Sequence, residues 1–556
     1  MIVLTAIVIG LAATPAMAAP QCATLASSIT GSPGIKSASS VLVPAAGANL
    51  AFCQVNLLFG TNPNQNINIV IGLPLNDADG GTAGVQGAWN GRTEGLGGGG
   101  CAGNLIVNPA VNAGYVGSGT DLGHAGGNCE PGVNPDGTYN LQFIQDFIRN
   151  AIKQQVLWAK RITKVYYDMR PAYNYWNGCS TGGRQGYLLA QELPNELDGI
   201  LANAPAIYWT RFQTAQMWGE IAMKDLTGAA IAPAKLAQAR ASAVAACDAA
   251  DGVTDGVIDD PRTCHFSARR NVCGAPTAPG ENCLTEAEAS AVDKVWDGPR
   301  NSRHEKIWFG LDRGTDFSVL DGPAPFPLGV TQFHWDEHDL NFDWQTVSLS
   351  GYPQVAQDGS RNIADVTDTF GPLDGFKRHG GKLLTYVGAN DQFIYPRGVL
   401  NYYRQMAARY GHNSRPDFRE LNKFYRLFRA PGVGHCGIAS TGPVPVDPFS
   451  ALVNWVEHGV APDSLLAAGG SAAPSTGRTR PVCVYPKTAI YNGSGSTDDA
   501  QNFHCGGNLE TRDVVCADVL TRYKHEVHGG LDFSGSGVEF GHCRLNDFGD
   551  HHGNHF

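Results

Sequence analysis

Two short motifs carry side chains that could act together as nucleophile and base. The first is Gly178-Cys179-Ser180-Thr181-Gly182, which places a serine at the centre of a Gly-x-Ser-x-Gly pattern. The second is Gly434-His435-Cys436, far along the chain of 556 residues. A serine hydroxyl attacks a carbonyl efficiently only when a base removes its proton, so His435 would take the proton of Ser180 and return it to the leaving alcohol.

The elements predicted around Ser180 suit a nucleophile. Residues 172–176 are predicted as a buried strand that runs into Ser180, and residues 183–192 as a helix that leaves it. A Gly-x-Ser-x-Gly motif needs this strand-turn-helix context, because the strained turn lifts the hydroxyl out of the sheet. The motif alone is weak evidence in a chain with 69 glycines, where an ordinary turn serine is the alternative.

The order of the following elements favours catalysis. Residues 382–387 are predicted as an apolar strand followed closely by Asp391, and residues 424–428 as a strand leading through a Gly-rich loop to His435. Nucleophile, acid at a strand end and histidine on a late loop is the chain order of an α/β-hydrolase triad. We therefore predict an α/β-hydrolase fold with Ser180, His435 and Asp391 as catalytic residues, the last holding the imidazole tautomer.

A tetrahedral intermediate also needs backbone donors for its oxyanion. The amide of Thr181, directly after the nucleophile, is one candidate. The second should lie on a loop after an early strand, and the run 97–100 suits it because glycine lets amides approach a ligand closely. We expect Gly100 to supply this donor, with Gly99 as the next choice.

The same glycine run has a rival interpretation. Gly95, Gly97 and Gly100 spell the GxGxxG pattern of dinucleotide-binding folds, and Asp121 follows about 20 residues later, as that motif requires. However, residues 101–109 do not read as the start of a helix, so the helix N-terminus that would bind phosphate is missing. We therefore do not expect a nucleotide cofactor.

Composition and the N-terminus indicate an exported protein. Residues 1–18 are largely apolar and end in Ala16-Met17-Ala18, which predicts a secretion signal rather than a membrane anchor, since a span needs roughly 20 apolar residues. A net charge of -11 without a basic run argues against nucleic acid or an anionic membrane as partner. We expect a secreted or periplasmic protein that is a monomer or a weak oligomer.

The cysteine pattern fits an oxidising compartment. The chain has 14 cysteines and no CxxC pair, which favours disulfides over structural zinc. Pairing of near neighbours is the simplest interpretation, and it would join Cys247 with Cys264, Cys273 with Cys283, Cys483 with Cys505 and Cys516 with Cys543.

An acidic loop lies between nucleophile and acid. Residues 247–260 hold five aspartates with interspersed glycines, and closely spaced oxygen donors on such a turn suit a hard cation such as calcium. The loop is not an EF-hand, because Arg262 stands where the twelfth position needs glutamate. A solvated acidic turn is the alternative.

These motifs together resemble the tannase and feruloyl esterase family, a secreted branch of the α/β-hydrolases that includes mono(2-hydroxyethyl) terephthalate hydrolases. The similarity spans residues 22–505. It rests on Trp89-Asn-Gly-Arg92, the glycine loop, Asp121-Leu-Gly-His124, residues 178–183, 198–206, 388–391 and 434–436, and Gly493-Ser-Gly-Ser-Thr-Asp-Asp499.

The resemblance implies several further features. A disulfide between Cys179 and Cys436 would lie beside the triad. A structural calcium would be bound in an inserted lid. Its ligands would be the side chains of Asp248, Asp251 and Asp255 and the carbonyls of Val253 and Val257. No organic cofactor is implied.

The implied organisation has four parts. Residues 1–18 are the signal peptide, 19–207 with 370–505 the catalytic domain, 208–369 the lid, and 506–556 a His-rich extension.

The expected activity is hydrolysis of small aromatic esters through an acyl-enzyme, of the feruloyl esterase or tannase type. Terephthalate monoester hydrolysis, acyl transfer by the same triad and a non-catalytic binding protein are the alternatives. Aromatic residues of the lid could line the pocket, although packing within the lid is the favoured role for most of Trp296, Trp308, Phe309, Phe333, Trp335, Phe342 and Trp344.

Overall fold

The computed structural model describes residues 21–320, 325–411, 416–469 and 477–509. The predicted signal peptide and the Cys516–Cys543 pair lie outside these ranges. Fourteen strands occur in the described residues: β1 Ile35–Val43, β2 Phe52–Phe59, β3 Ile67–Pro74, β4 Arg92–Leu96, β5 Val116–Thr120, β6 Tyr173–Cys179, β7 Gly199–Asn203, β8 Lys382–Gly388, β9 Tyr425–Ala430, β10 Val444–Pro445, β11 Ser464–Ala468, β12 Thr479–Cys483, β13 Thr488–Tyr491 and β14 Phe503–Gly506.

α-Helices lie in each connection from β4 to β9 and in the connection between β10 and β11. Fifteen α-helices occur in the described residues: α1 Cys22–Leu25, α2 Asn108–Asn112, α3 Leu141–Gln145, α4 Ala151–Tyr167, α5 Thr181–Glu192, α6 Trp209–Thr227, α7 Pro233–Cys247, α8 Glu286–Asp297, α9 Pro327–Glu337, α10 Tyr352–Asn362, α11 Ala364–Thr367, α12 Asp374–His379, α13 Pro396–Tyr410, α14 Phe418–Leu421 and α15 Pro448–His458. None of them, within the described ranges, combines the length and apolarity that a membrane span requires.

A nine-stranded sheet forms the centre of the molecule. Its order is β1-β2-β3-β5-β4-β6-β7-β8-β9, antiparallel from β1 to β5 and parallel from β5 to β9. Parallel strands place their carboxyl ends at one edge, so the loops after β4, β6, β8 and β9 meet there. The predicted α/β-hydrolase architecture is confirmed.

Both faces of the parallel part are covered, which explains the apolar strands. Alternate residues of a strand point to opposite faces. Accordingly, Trp176 and Ile200 pack in the cluster that contains α4 and α5. Their neighbours Tyr175 and Leu201 pack in a second cluster with Trp455 of α15.

The predicted elements near the site are confirmed, with shifted ends. The helical segment before β6 has an irregular middle: α3 is followed by a π-helical turn, Asp146–Asn150, and then by α4, which ends at Tyr167. Within this turn Asp146 is buried and accepts hydrogen bonds from Gln65 and Asn150. The periodicity of hydrophobic residues cannot predict this turn, because Asp146 is polar and its buried position depends on Gln65 from outside the helix.

The long connection between β7 and β8 contains seven α-helices in its described part, α6 to α12. Its two ends are joined to each other at the sheet. The Thr369 amide donates to the Ile207 carbonyl over 2.6 Å, and a buried ion pair joins Arg211 Nη1 to Asp368 Oδ2 over 3.0 Å. The predicted lid, residues 208–369, lies within this connection and contains α6 to α11 in its described part, and we call residues 208–369 the insertion.

Six disulfides occur in the described residues. Four of them pair the cysteines expected from sequence, namely Cys179–Cys436, Cys247–Cys264, Cys273–Cys283 and Cys483–Cys505. Two others, Cys22–Cys53 and Cys101–Cys129, were not predicted. Cys101 directly follows the glycine loop in the sequence. This position could have indicated that its disulfide supports the loop that carries Gly100.

Candidate active site

Ser180 lies on a sharp turn between β6 and α5. Its backbone has φ 62° and ψ -124°, a conformation that is costly for a residue with a side chain. The turn is held by a hydrogen bond of 3.0 Å from the Ser180 amide to the Asn203 carbonyl of the neighbouring strand. A side chain at Gly178 would collide with the backbone of Gly182, so both glycines of the motif permit this close packing.

Asp391 and His435 form a hydrogen-bonded pair at the same edge of the sheet. Asp391 Oδ2 lies 2.9 Å from His435 Nδ1. The other carboxylate oxygen of Asp391 accepts from the amides of Phe393 and Ile394 over 2.9 and 2.8 Å. Asp391 is 2% exposed, so these donors take the place of water around its carboxylate. The arrangement leaves Nε2 of the imidazole available to a second group.

Ser180 and His435 line one cavity of about 140 Å³. The Cys179–Cys436 disulfide lies beside both residues and joins backbones whose Cα atoms are 6.1 Å apart across a sequence separation of 257. It therefore connects the nucleophile turn directly to the histidine loop. The three residues predicted as a triad come from the carboxyl ends of β6, β8 and β9, where the chain order placed them.

The two candidate oxyanion donors, Gly100 and Thr181, line the same cavity. The Thr181 hydroxyl donates to the Gly100 carbonyl over 2.7 Å and so connects the glycine loop to the nucleophile turn. Gly100 has φ +56°, which a glycine adopts without strain. Gly99, the second choice, is less suitable because its amide already donates to the Ala102 carbonyl over 3.1 Å.

The glycine loop does not begin a helix, as the rival dinucleotide pattern would need. Gly95 lies within β4, and the next helix, α2, begins only at Asn108 and has five residues. The glycine loop is instead held by contacts with residues that do not line the cavity. His124 Nε2 lies 2.6 Å from the Cys101 carbonyl, and Cys101 is bonded to Cys129. His124 therefore supports the loop from outside the cavity.

The insertion supplies the apolar wall of the cavity. The described lining residues from the insertion are Trp209, Phe212, Gln213, Gln216, Phe326 and Leu328, and Phe393 and Ile394 follow the acid. None of the seven lid aromatics singled out in the sequence lines it. Most are buried in packing, as expected; Trp296, Trp308 and Phe309, for example, are at most 3% exposed. The sequence does not single out Trp209 and Phe212 as lining residues, because only the fold shows that α6 begins beside Ser180.

The acidic loop lies away from the cavity and is closed by Cys247–Cys264. The Asp248 carboxylate accepts from the amides of Asp255, Gly256 and Val257 over 2.9 to 3.3 Å. Asp251 accepts from the Val253 amide over 2.9 Å. These bonds fold the loop around Asp248.

The loop also carries strong electrostatic interactions. Asp255 Oδ2 pairs with Arg480 at 2.5 Å and with Arg478 at 3.4 Å. Burial, with the nearby Asp251 carboxylate, raises the pKa of Asp259 to about 7. In the described residues, no group of three or more His, Cys, Asp or Glu side chains is arranged to hold a metal ion. The donors are nevertheless all oxygens, so their chemistry fits a hard cation.

Comparisons with known proteins give the site its context. The sequence model of the family described as "Tannase and feruloyl esterase" matches residues 85–325 and 326–506. A probable feruloyl esterase of Arthroderma benhamiae is 33% identical over 483 residues, which cover 82% of this chain and 85% of that protein.

Two solved structures share the fold. Feruloyl esterase B from Aspergillus oryzae superimposes with a TM-score of 0.74 at 25% identity, covering 87% of this chain and 99% of that one. Tannin acyl hydrolase from Aspergillus niger also gives 0.74, at 22% identity, covering 88% and 97%. The family model and the Arthroderma relative each cover well over half of the chain. This chain therefore belongs to the tannase and feruloyl esterase family and is a carboxylic ester hydrolase.

Proposed function

We propose that this protein is a secreted serine esterase that hydrolyses esters of small aromatic acids through an acyl-enzyme. The observation that carries the proposal is the shared cavity, in which strained Ser180 and Asp391-paired His435 meet an aromatic wall. The names of the relatives support the same substrate class. The six disulfides of the described ranges fit an extracellular protein.

The chemistry runs in two half-reactions. Ser180 Oγ attacks the ester carbonyl carbon while His435 Nε2 takes the hydroxyl proton, and the amides of Gly100 and Thr181 stabilise the oxyanion. The intermediate collapses to the acyl-enzyme as His435 returns the proton to the departing alcohol. Water, deprotonated by His435, then releases the acid and restores Ser180. Asp391 keeps the imidazole in the required tautomer throughout.

The size and lining of the cavity favour a one-ring acyl group. At about 140 Å³ the cavity is smaller than most ligand pockets, which span roughly 300 to 1,000 Å³. Trp209, Phe212 and Phe393 can contact the faces and edges of an aromatic ring. The ester alcohol would extend toward solvent.

A substrate panel tests this function. We expect kcat/KM for methyl ferulate or methyl gallate to exceed that for para-nitrophenyl acetate by at least about tenfold, because only the aromatic acids fill the apolar wall. Mono(2-hydroxyethyl) terephthalate, assayed alongside, distinguishes the alternative specificity. Competition by an added alcohol, with products separated chromatographically, measures acyl transfer. Cleavage of para-nitrophenyl acetate alone would contradict the aromatic-acid assignment.

We also propose that calcium binds the acidic loop through Asp248, Asp251 and Asp255 with the carbonyls of Val253 and Val257. The all-oxygen donor set supports this, and the ion would add positive charge to a loop that Arg478 and Arg480 already balance in part. Its role would be structural, because the loop does not line the cavity.

Removal of calcium should therefore lower stability more than activity. We expect excess EGTA to reduce the melting temperature by about 2 to 4 °C, because a ligand at 100 times its Kd stabilises by ~2.7 kcal/mol. Calcium, but not magnesium, should restore it. Asp251→Asn should lose this response while retaining esterase activity. An identical melting temperature in metal-free and calcium-saturated protein would contradict the site.

A further inference from the structure

Two buried glutamines interrupt the apolar wall of the cavity. Trp209, Phe212, Gln213 and Gln216 recur at helical spacing along α6, so they share the face that borders the cavity. Gln213 is 1% exposed and Gln216 is 2% exposed. Uncharged amides at this depth need hydrogen-bond partners, because a buried polar atom without one costs about 1 to 3 kcal/mol.

Each glutamine has a side-chain oxygen that accepts no hydrogen bond from the part of the chain that the structure describes. Gln216 Nε2 donates to the Phe393 carbonyl over 2.8 Å. Only the amide nitrogen can donate to a carbonyl, so this bond fixes which end of the side chain is the oxygen. Gln216 Oε1 is buried and accepts no hydrogen bond from the described residues, and the same holds for Gln213 Oε1.

Phe393, which accepts the hydrogen bond from Gln216, lies in the loop that carries Asp391. Phe393 donates its amide to Asp391, and its ring lies 5.1 Å from the His435 ring, centroid to centroid. The free oxygen of Gln216 is therefore held rigidly relative to the reacting groups. Such a rigid acceptor can distinguish ligands that differ by one donor.

The remaining lining residues define which donor suits the cavity. Among the described residues that line it, none is Lys, Arg, Asp or Glu. A carboxylate on the acyl ring would meet aromatic rings and amide oxygens and would lose its hydration without a cation in return. A neutral hydroxyl on the ring can instead donate to an amide oxygen.

We propose that Gln216, assisted by Gln213 one turn earlier, is a specificity-determining residue that accepts a hydrogen bond from a phenolic hydroxyl of the acyl group. The assignment rests on the proposed aromatic esterase function. With this acceptor, the preferred acyl groups carry a neutral hydroxyl on the ring, and acyl groups that carry a second, ionised carboxylate are disfavoured.

The test compares two substrates that differ by one hydroxyl. The wild type should cleave methyl 4-hydroxycinnamate with a kcat/KM about tenfold above that for methyl cinnamate. In Gln216→Met, which keeps the length of the side chain but removes the acceptor, this ratio should fall to about two or less. The ratio is independent of the fraction of folded enzyme, so partial misfolding of a variant does not disturb it. Gln238→Leu, on α7 outside the cavity, should retain the wild-type ratio.

The outcomes separate the two proposals. A wild type that cleaves para-nitrophenyl acetate but neither cinnamate overturns the aromatic substrate class and, with it, the role of Gln216. Cleavage of both cinnamates with the same ratio in wild type, Gln216→Met and Gln213→Met overturns the acceptor assignment alone. A kcat/KM for methyl 4-carboxycinnamate equal to that of the hydroxylated ester would overturn it as well.

Discussion

Replacing Ser180 with alanine is expected to lower kcat/KM for methyl ferulate by about 10⁶-fold, to a residue of activity supplied by the oxyanion donors and binding alone. The methyl group cannot form the acyl bond, so the initial burst of para-nitrophenol from an activated ester should also disappear. Stopped-flow absorbance measures the burst, and steady-state assays measure the loss.

The stability of this variant should remain close to that of the wild type. Alanine adopts the backbone angles of Ser180 with similar strain, and the Ser180 amide still donates to Asn203. Ser450→Ala, at an exposed position on α15, serves as the matched control and should keep full activity. A Ser180→Ala enzyme with a normal burst and normal turnover would disprove the assignment of the nucleophile.

Asp391→Asn is expected to lower kcat by about 10⁴-fold at neutral pH. An asparagine can keep the amide contacts of the loop, yet its NH₂ group would face His435 Nδ1 and favour the tautomer that carries its proton on Nε2. That tautomer cannot accept the proton of Ser180. Pre-steady-state kinetics should show that acylation itself slows, whereas KM changes little.

A surface exchange provides the comparison. Asp463 is 84% exposed in its side chain and pairs with Arg426, so Asp463→Asn should leave turnover within about twofold of the wild type. If Asp391→Asn had the same small effect, another group would have to orient the imidazole. The triad would then lack its acid.

The positions of the proposed reacting groups at one edge of the sheet could be predicted from sequence because their constraints are local. The Gly178–Gly182 motif needs a strand before it and a helix after it, and both have clear periodicity. Asp391 and His435 each follow a short apolar strand, so element order sufficed for them.

The cavity wall could not be predicted in this way because it is a tertiary property. Trp209 and Trp296 are both buried tryptophans of the insertion, yet only the first lines the cavity. Hydrophobicity does not distinguish them, since the distinction depends on where α6 leaves the sheet. Likewise, the sequence favoured Gly100 over Gly99, but no composition pattern contains the hydrogen bond to Ala102 that makes Gly99 less suitable.

The Cys179–Cys436 disulfide has a consequence for how this enzyme can diversify. The covalent ring that it closes contains the whole insertion. The segments that carry Ser180 and His435, the proposed nucleophile and base, are therefore joined by a bond that bypasses the 178 residues between β7 and β8. Helices of the insertion can therefore be lengthened, lost or changed in their surface residues while the positions of Ser180 and His435 stay the same. Selection can therefore change the substrate of this enzyme without rebuilding its chemistry, provided that the protein folds where thiols are oxidised.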